Sequence, residues 1–139
     1  MTAEFTVAVH ALTYLCHKGC VVSSSELADN ICTNPARVRK IMSKLVRAGL
    51  AYSGAGKGSG YAVGPACRDI SLDQILSATG DDVVKAAWHS GDMDAECLVS
   101  SGMGGIMDDI CSELDAECRK KLSCITIGSI SDTIFGGDK

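Results

Sequence analysis

Asn34-Pro35-Ala36-Arg37-Val38-Arg39-Lys40-Ile41-Met42-Ser43-Lys44-Leu45-Val46-Arg47-Ala48-Gly49 is the stretch whose reading decides the fold. Asn34 is a good helix N-cap, because its side-chain oxygen accepts from the first free backbone amides. Pro35 follows at the first helical position, where a missing N–H costs nothing. Val38, Ile41, Met42 and Leu45 recur at i, i+3, i+4 and i+7 and form one apolar stripe. The opposite face carries Ala36, Arg37, Arg39, Lys40, Ser43, Lys44 and Arg47, and Gly49 stops the helix. A short helix with an apolar back and a basic front suits a DNA major groove, where the front attracts phosphates and reaches base edges. A solvated surface helix that is simply basic is the competing reading, and the flanking sequence decides between them.

On the N-terminal side, residues 3–17 read as a helix with Phe5, Ala8, Val9, Leu12 and Leu15 on one face, broken by Gly19. Val21-Val22 reads as a very short strand. Ser23-Ser24-Ser25-Glu26 matches a capping box, with Ser23 as N-cap and Glu26 at N3. It opens a short helix through Ile31, and Cys32-Thr33 make the turn into the basic helix. Short helix, tight turn and helix with a polar outer face form a helix-turn-helix pattern. On the C-terminal side, Leu50–Ser53 and Tyr61–Val63 read as two strands around a loop, residues 54–60, that holds four glycines and Lys57. A hairpin straight after a helix-turn-helix is a wing. The loop does not match a nucleotide-phosphate motif, because Lys57 is followed by Gly58.

Ser71 caps a helix over Leu72–Thr79, stopped by Gly80. Residues 81–98 are a polar, acidic connector. Residues from about 101 to 123 read as the longest helix, with Met103, Ile106, Met107, Ile110, Cys111, Leu114, Cys118 and Leu122 along one stripe. A winged-helix core does not need this helix to close it, so the stripe is read as a dimer seam. Thr126 caps a last helix whose apolar face is Ile127, Ile130, Ile134 and Phe135. The expected architecture is mainly α with a small β-wing. Residues 1–80 form the winged helix-turn-helix, 81–98 a sensory connector, and 99–139 a dimerisation helix and a C-terminal helix.

The 139 residues carry a net charge of −4, but its distribution is uneven. Residues 1–63 hold seven basic and three acidic side chains, and residues 64–139 hold six and fourteen. Between Asn30 and Tyr61 there are six basic residues and no acidic one. One half is therefore expected to face nucleic acid, and the other to do a different job. No apolar run approaches a membrane span and no signal-peptide pattern opens the chain, so a cytoplasmic protein without a membrane partner is expected. In that compartment the eight cysteines read as thiols, ligands or sensors ahead of a disulfide framework.

The chain resembles the Rrf-two family of bacterial winged-helix transcription regulators. The likeness covers nearly the whole chain. It rests on Ser25-Glu26-Leu27-Ala28, Thr33-Asn34-Pro35, the block from Arg39 to Leu45, Ala48-Gly49-Leu50, Gly60-Tyr61, Asp69-Ile70-Ser71-Leu72 and Ile125-Thr126-Ile127. It is most similar to the YwnA-type branch through Val7-Ala8-Val9-His10, Thr33-Asn34-Pro35 and His89 to Cys97-Leu98-Val99. The resemblance implies a homodimer on a pseudo-palindromic double-stranded operator. The reading is a repressor, and no Ser/His/Asp set, paired-carboxylate pocket or nucleotide loop in the sequence suggests an enzyme. The family's base-contacting positions fall on Asn34, Ala36, Arg39 and Lys40. Arg39 suits guanine, while Arg37, Lys40 and Lys44 suit phosphates. Lys57 and Tyr61 complete the DNA-facing set from the wing. Ala55 stands where cluster-type members have a wing arginine, and Glu4 stands in a commonly basic N-terminal stretch.

Relatives that hold an iron–sulfur cluster place three cysteines in the connector; this chain has only Cys97 there. One thiolate does not hold a cluster that takes four ligands, so no cofactor is expected unless His89, Cys111 or a second subunit contributes. Cys97 has three readings: a small buried residue, a redox sensor near a helix N-terminus, or a metal ligand. Asp94 and Glu96 oppose the sensor reading. Cys16 and Cys20, spaced Cys-x-x-x-Cys around His17, read as structural. Two other classes remain open: a winged-helix protein-interaction module without DNA binding, and a metal- or cluster-sensing regulator.

Overall fold

The computed structural model describes residues 1–54 and 59–136. Its first helix, α1 (Ala3–Lys18), starts where the Thr2 hydroxyl accepts from the Phe5 amide and ends at Gly19 in the left-handed conformation. Helix α2 (Ser24–Ile31) is capped by Ser23, and α3 (Pro35–Arg47) by Asn34, whose side chain accepts from the Arg37 amide at 2.8 Å. Strands β1 (Tyr52–Ser53) and β2 (Tyr61–Ala62) pair antiparallel, Tyr52 opposite Ala62 and Ser53 opposite Tyr61. A 3-10 turn (Cys67–Asp69) leads into α4 (Leu72–Thr79). After the connector come α5 (Leu98–Ser123) and α6 (Ile127–Phe135).

The three N-terminal helices and α4 close around one aliphatic core. Leu12, Leu15, Leu27, Val38, Ile41, Met42, Leu45, Ile75 and Leu76 are fully buried in it. Each large side chain taken out of water there contributes roughly 1.5–3 kcal/mol. Helix α6 returns to this body and packs against α1 and the 3-10 turn, with Ile127 buried. Backbone bonds fasten the return: the Ile127 amide donates to the Ile70 carbonyl and the Leu72 amide to the Ile125 carbonyl, both at 2.9 Å.

Several local expectations shift. The capping box of α2 is only half formed. Ser23 Oγ accepts from the Glu26 amide at 3.0 Å, but the Glu26 carboxylate turns to the Tyr14 hydroxyl at 2.6 Å and to Lys18. The wing strands are shorter than the sequence suggests. The Leu50 amide is consumed in closing α3, donating to the Leu45 carbonyl at 2.9 Å beyond Gly49 at φ +79°. Val22 contributes one bridge to Tyr61 instead of a strand. Gly60 is required there, because a Cβ would lie 2.4 Å from the Val22 carbonyl oxygen. Helix α5 begins at Leu98 and carries Gly102, Gly104 and Gly105 inside it, so the connector is one residue shorter than 81–98.

The cysteine expectation is corrected too. Cys16 is joined in a disulfide to Cys67 in the 3-10 turn, 51 residues away, and Cys20 is a free, exposed thiol. The heptad-like spacing along α1 shows which face of the helix Cys16 is on, but not which distant turn lies against it. By the chain-entropy rule a bridge over that separation contributes about 4 kcal/mol.

Candidate nucleic-acid interface

Helix α3 presents the arrangement a groove-binding helix needs. Its back, Val38, Ile41, Met42 and Leu45, is wholly buried. Its front brings Ala36, Arg37, Arg39, Lys40, Ser43 and Arg47 together on one exposed face, with Asn34 exposed at the N-cap. Asn34 spends its side-chain oxygen on the cap. Arg39 leans toward the start of α2, where one guanidinium nitrogen donates to Ser24 Oγ at a long 3.4 Å. A guanidinium has five donors, so most of its capacity stays available. Arg37 lies beside Thr33 and the first turn of α1.

Lys44 departs from the expected set. Its ammonium is half-buried, 2.7 Å from Glu4 on α1, and also donates to the Thr79 carbonyl. The stripe spacing puts residue 44 at the edge of the basic face, and the carboxylate across from it turns it toward the body. Lys40 keeps a looser pairing with the other Glu4 oxygen at 3.4 Å and stays largely exposed. The Lys44 hydrogen bond is the main cause that holds the Glu4 carboxyl below its usual range; burial opposes it and Lys40 assists. Tyr61 is a second departure: it is half-buried against the core, because β2 lies between β1 and Val22. Lys57 and Ala55 lie outside the described residues. Tyr52, which the sequence did not single out, is the wing aromatic left exposed, 60% of it accessible.

The connector is tied along α5. Asp115 accepts from the amides of Val83 at 2.7 Å and Val84 at 2.9 Å, and these bonds, the Val84 amide above all, hold its carboxyl low against the effect of burial. Arg119 binds Asp115, Asp73, Ser77 Oγ and the Asp81 carbonyl, joining α5, α4 and the connector in one knot. His89 Nε2 lies 2.7 Å from Asp108, its ring against Gly104. Gly91, at φ +79°, lets the chain pass so close to α5 that a Cβ would meet the Ser100 carbonyl oxygen at 2.1 Å. Asp92 donates its amide to Ser100 Oγ at 3.0 Å.

Cys97 sits at the N-cap of α5, exposed. The Ser100 and Val99 amides at the helix start hold its thiol below the usual value without forming a capping hydrogen bond. Unpaired N-terminal amides favour an anion, and a thiolate is the reactive form. The buried reading of Cys97 is thereby corrected: α5 starts at the next residue, Leu98, earlier than the sequence suggests, and the Cys97 side chain is exposed at its N-cap. Among the described residues no group of three or more His, Cys, Asp or Glu side chains converges as a metal would require. A single exposed connector thiol is a donor set that does not fit a cluster held within one subunit.

The seam expected on α5 divides in two. Ile106, Met107, Ile110 and Leu114 are exposed by 42–54%, and Met103 and Cys118 are half-buried. Leu122 is corrected: it is buried in its own chain's core, because α5 meets α4 at that end. A second apolar surface, an open groove of about 670 Å³, runs between α1 and α6 and is lined by Phe5, Val9, Leu72, Ile130, Ile134 and Phe135. No helix among the described residues is long and apolar enough to cross a membrane.

Comparison with known proteins matches residues 1–133 to a family described as "Rrf2: Iron-dependent Transcriptional regulator". A candidate transcriptional regulator from Lactobacillus plantarum superposes with a TM-score of 0.80 at 26% identity, over 99% of this chain and 93% of that one. T. potens IscR gives 0.72 at 16% identity, over 100% and 90%. CymR, the global cysteine regulator of B. subtilis, gives 0.69 at 15% identity, over 96% of each chain. No curated protein matches the sequence.

Proposed function

The chain belongs to the Rrf2 (Rrf-two) family of DNA-binding transcriptional regulators, and from that premise we propose that it is a homodimeric, sequence-specific repressor whose α3 reads the major groove. It is a regulator and not an enzyme. One observation carries the reading: four stripe residues of α3 are fully buried while the opposite face is exposed, basic and free of acidic residues. In this reading Arg39 contacts a base, Arg37, Lys40 and Arg47 contact phosphates, and Asn34 and Ala36 approach the bases at the start of the helix. Lys44 positions the helix against α1. Cys97 is the thiol sensor, supported by its exposure and its lowered pKa.

The dimer reading is supported by the bare stripe on α5 and by the apolar groove, two surfaces a second copy covers. A two-fold dimer presents two α3 helices, which calls for a pseudo-palindromic operator. The rival reading, a protein-interaction module, draws on the net charge of −4. Titration of the chain against the DNA upstream of its own gene, at several salt concentrations, separates the two. The repressor reading expects affinity that falls steeply as salt rises and a preference over scrambled duplex. Absence of binding at low salt would leave the interaction module.

A further inference from the structure

We propose that Cys16 and Cys67 form a reversible dithiol–disulfide pair that fixes the base of the wing to α1. The bond joins the last turn of α1 to the 3-10 turn that follows β2. Both cysteines are half-buried at the edge of the body, Cys16 against the core, and neither is enclosed in it. The other six cysteines are free thiols.

The fold holds this turn without the bond. Arg68 pairs with Asp132 on α6 at 2.9 Å, and the Cys67 amide donates to the Gly64 carbonyl at 3.1 Å. The Ile70 carbonyl is held by Ile127. Opening the pair therefore leaves the turn and the core in place and removes only the covalent tie between the wing base and α1. Helix α1 is the strut between the two DNA-facing elements. Its first turn carries Glu4, which holds Lys44 and Lys40 of α3. Its last turn carries Cys16, which holds the segment leaving the wing. The linker after α1 holds β2 through Val22, whose amide and carbonyl both bond Tyr61. With the bond closed, the wing base and α3 share one rigid support.

The chemistry balances with common reactants. In closing, the two thiols give two protons and two electrons to a hydroperoxide, which leaves as an alcohol and water. In opening, two glutathione thiols supply two electrons and two protons and leave as glutathione disulfide. The consequence for DNA rests on the DNA-binding reading above; the pair itself does not.

The test equilibrates the full chain in glutathione buffers from reducing to oxidising. Free thiols are trapped, cross-linked peptides are mapped by mass spectrometry, and helix content is followed by circular dichroism. The Cys16–Cys67 link is expected to open and reclose across the series with helix content unchanged. The Tyr61 and Cys67 amides are expected to exchange about tenfold more slowly when it is closed, relative to core amides of α3. Cys67→Ser is expected to exchange fast at every ratio, and Cys16→Ala guards against a folding defect peculiar to one substitution. A link that never forms, that joins other cysteines, or that opens only on unfolding overturns the proposal. Because a fixed wing base costs less to order on binding, oxidised wild type is expected to bind duplex about threefold more tightly than oxidised Cys67→Ser. Equal affinities overturn the coupling to α3. If no duplex is bound in any buffer while the link cycles as expected, the DNA-binding reading fails and the redox pair stands.

Discussion

Helices α3 and α5 carry the same kind of apolar stripe and meet opposite fates. The stripe of α3 is 0% exposed, whereas Ile106, Ile110 and Leu114 on α5 are 54%, 44% and 51% exposed. Periodicity tells which face of a helix is apolar, but not what covers it. On α3 the chain covers its own stripe, and the free face is the basic one. On α5 the chain buries Leu122 at the last turn and half-buries Met103 and Cys118, but it leaves Ile106, Met107, Ile110 and Leu114 exposed. A covered stripe makes a rigid platform; the bare one is where the proposed second copy would pack.

The largest effect is expected at the covered stripe. Leu45→Ala is expected to lose about 2–5 kcal/mol of stability through the cavity it leaves, read as a drop in the urea midpoint at unchanged slope. The same truncation at Leu114 is expected to leave the midpoint of dilute, monomeric protein within about 0.5 kcal/mol, since that side chain is already half in water. Equal losses would place Leu114 in the core and remove the contrast. Next in size, Ile110→Glu puts a charge on the bare stripe and is expected to yield monomers by size exclusion with light scattering, with helix content unchanged. A surviving dimer would move the seam off this face.

The smallest effect lies where α1 meets α3. Glu4→Gln removes both ion pairs to Lys44 and Lys40 and is expected to cost about 1 kcal/mol or less, because both lysines remain partly solvated. The Glu4 carboxyl is held below its ordinary value in the folded chain. Its contribution is therefore present above the unfolded value and lost as pH falls through the folded one. Thermal scans of wild type and Glu4→Gln are expected to converge in that acid window; a gap that persists there would mean the pairs contribute little. The substitution also frees two cations on α3, so non-specific duplex binding is expected to tighten.

Much of α3 was legible because its signals are local. Asn34, Pro35 and the i, i+3, i+4, i+7 spacing all lie within the helix they define. The wing was legible as a hairpin, but its strands were overdrawn, because closing α3 takes the Leu50 amide. What escaped the sequence is long-range pairing. Glu4 and Lys44 are 40 residues apart, and Cys16 and Cys67 are 51 apart. Asp115 reaches back 32 residues to Val83. Glu4 was visible as a departure from a basic N-terminal stretch, yet only the packing of α1 on α3 shows that it clamps a lysine counted among the phosphate contacts. The sequence puts Cys97 in the connector near the start of α5. Its exposure hinged on where α5 starts, and the glycines after it hid that boundary.

In the proposed reading, α3 reads base sequence and does not merely attract phosphates. The most direct measurement is the affinity of wild type and Arg39→Ala for an operator selected from the upstream DNA and for its single-base variants, at fixed salt. Arg39→Ala is expected to lose about 1–3 kcal/mol on the operator, with discrimination collapsing at one base pair in each half-site. A uniform loss on every sequence, with discrimination intact, would contradict it and make Arg39 one more phosphate contact.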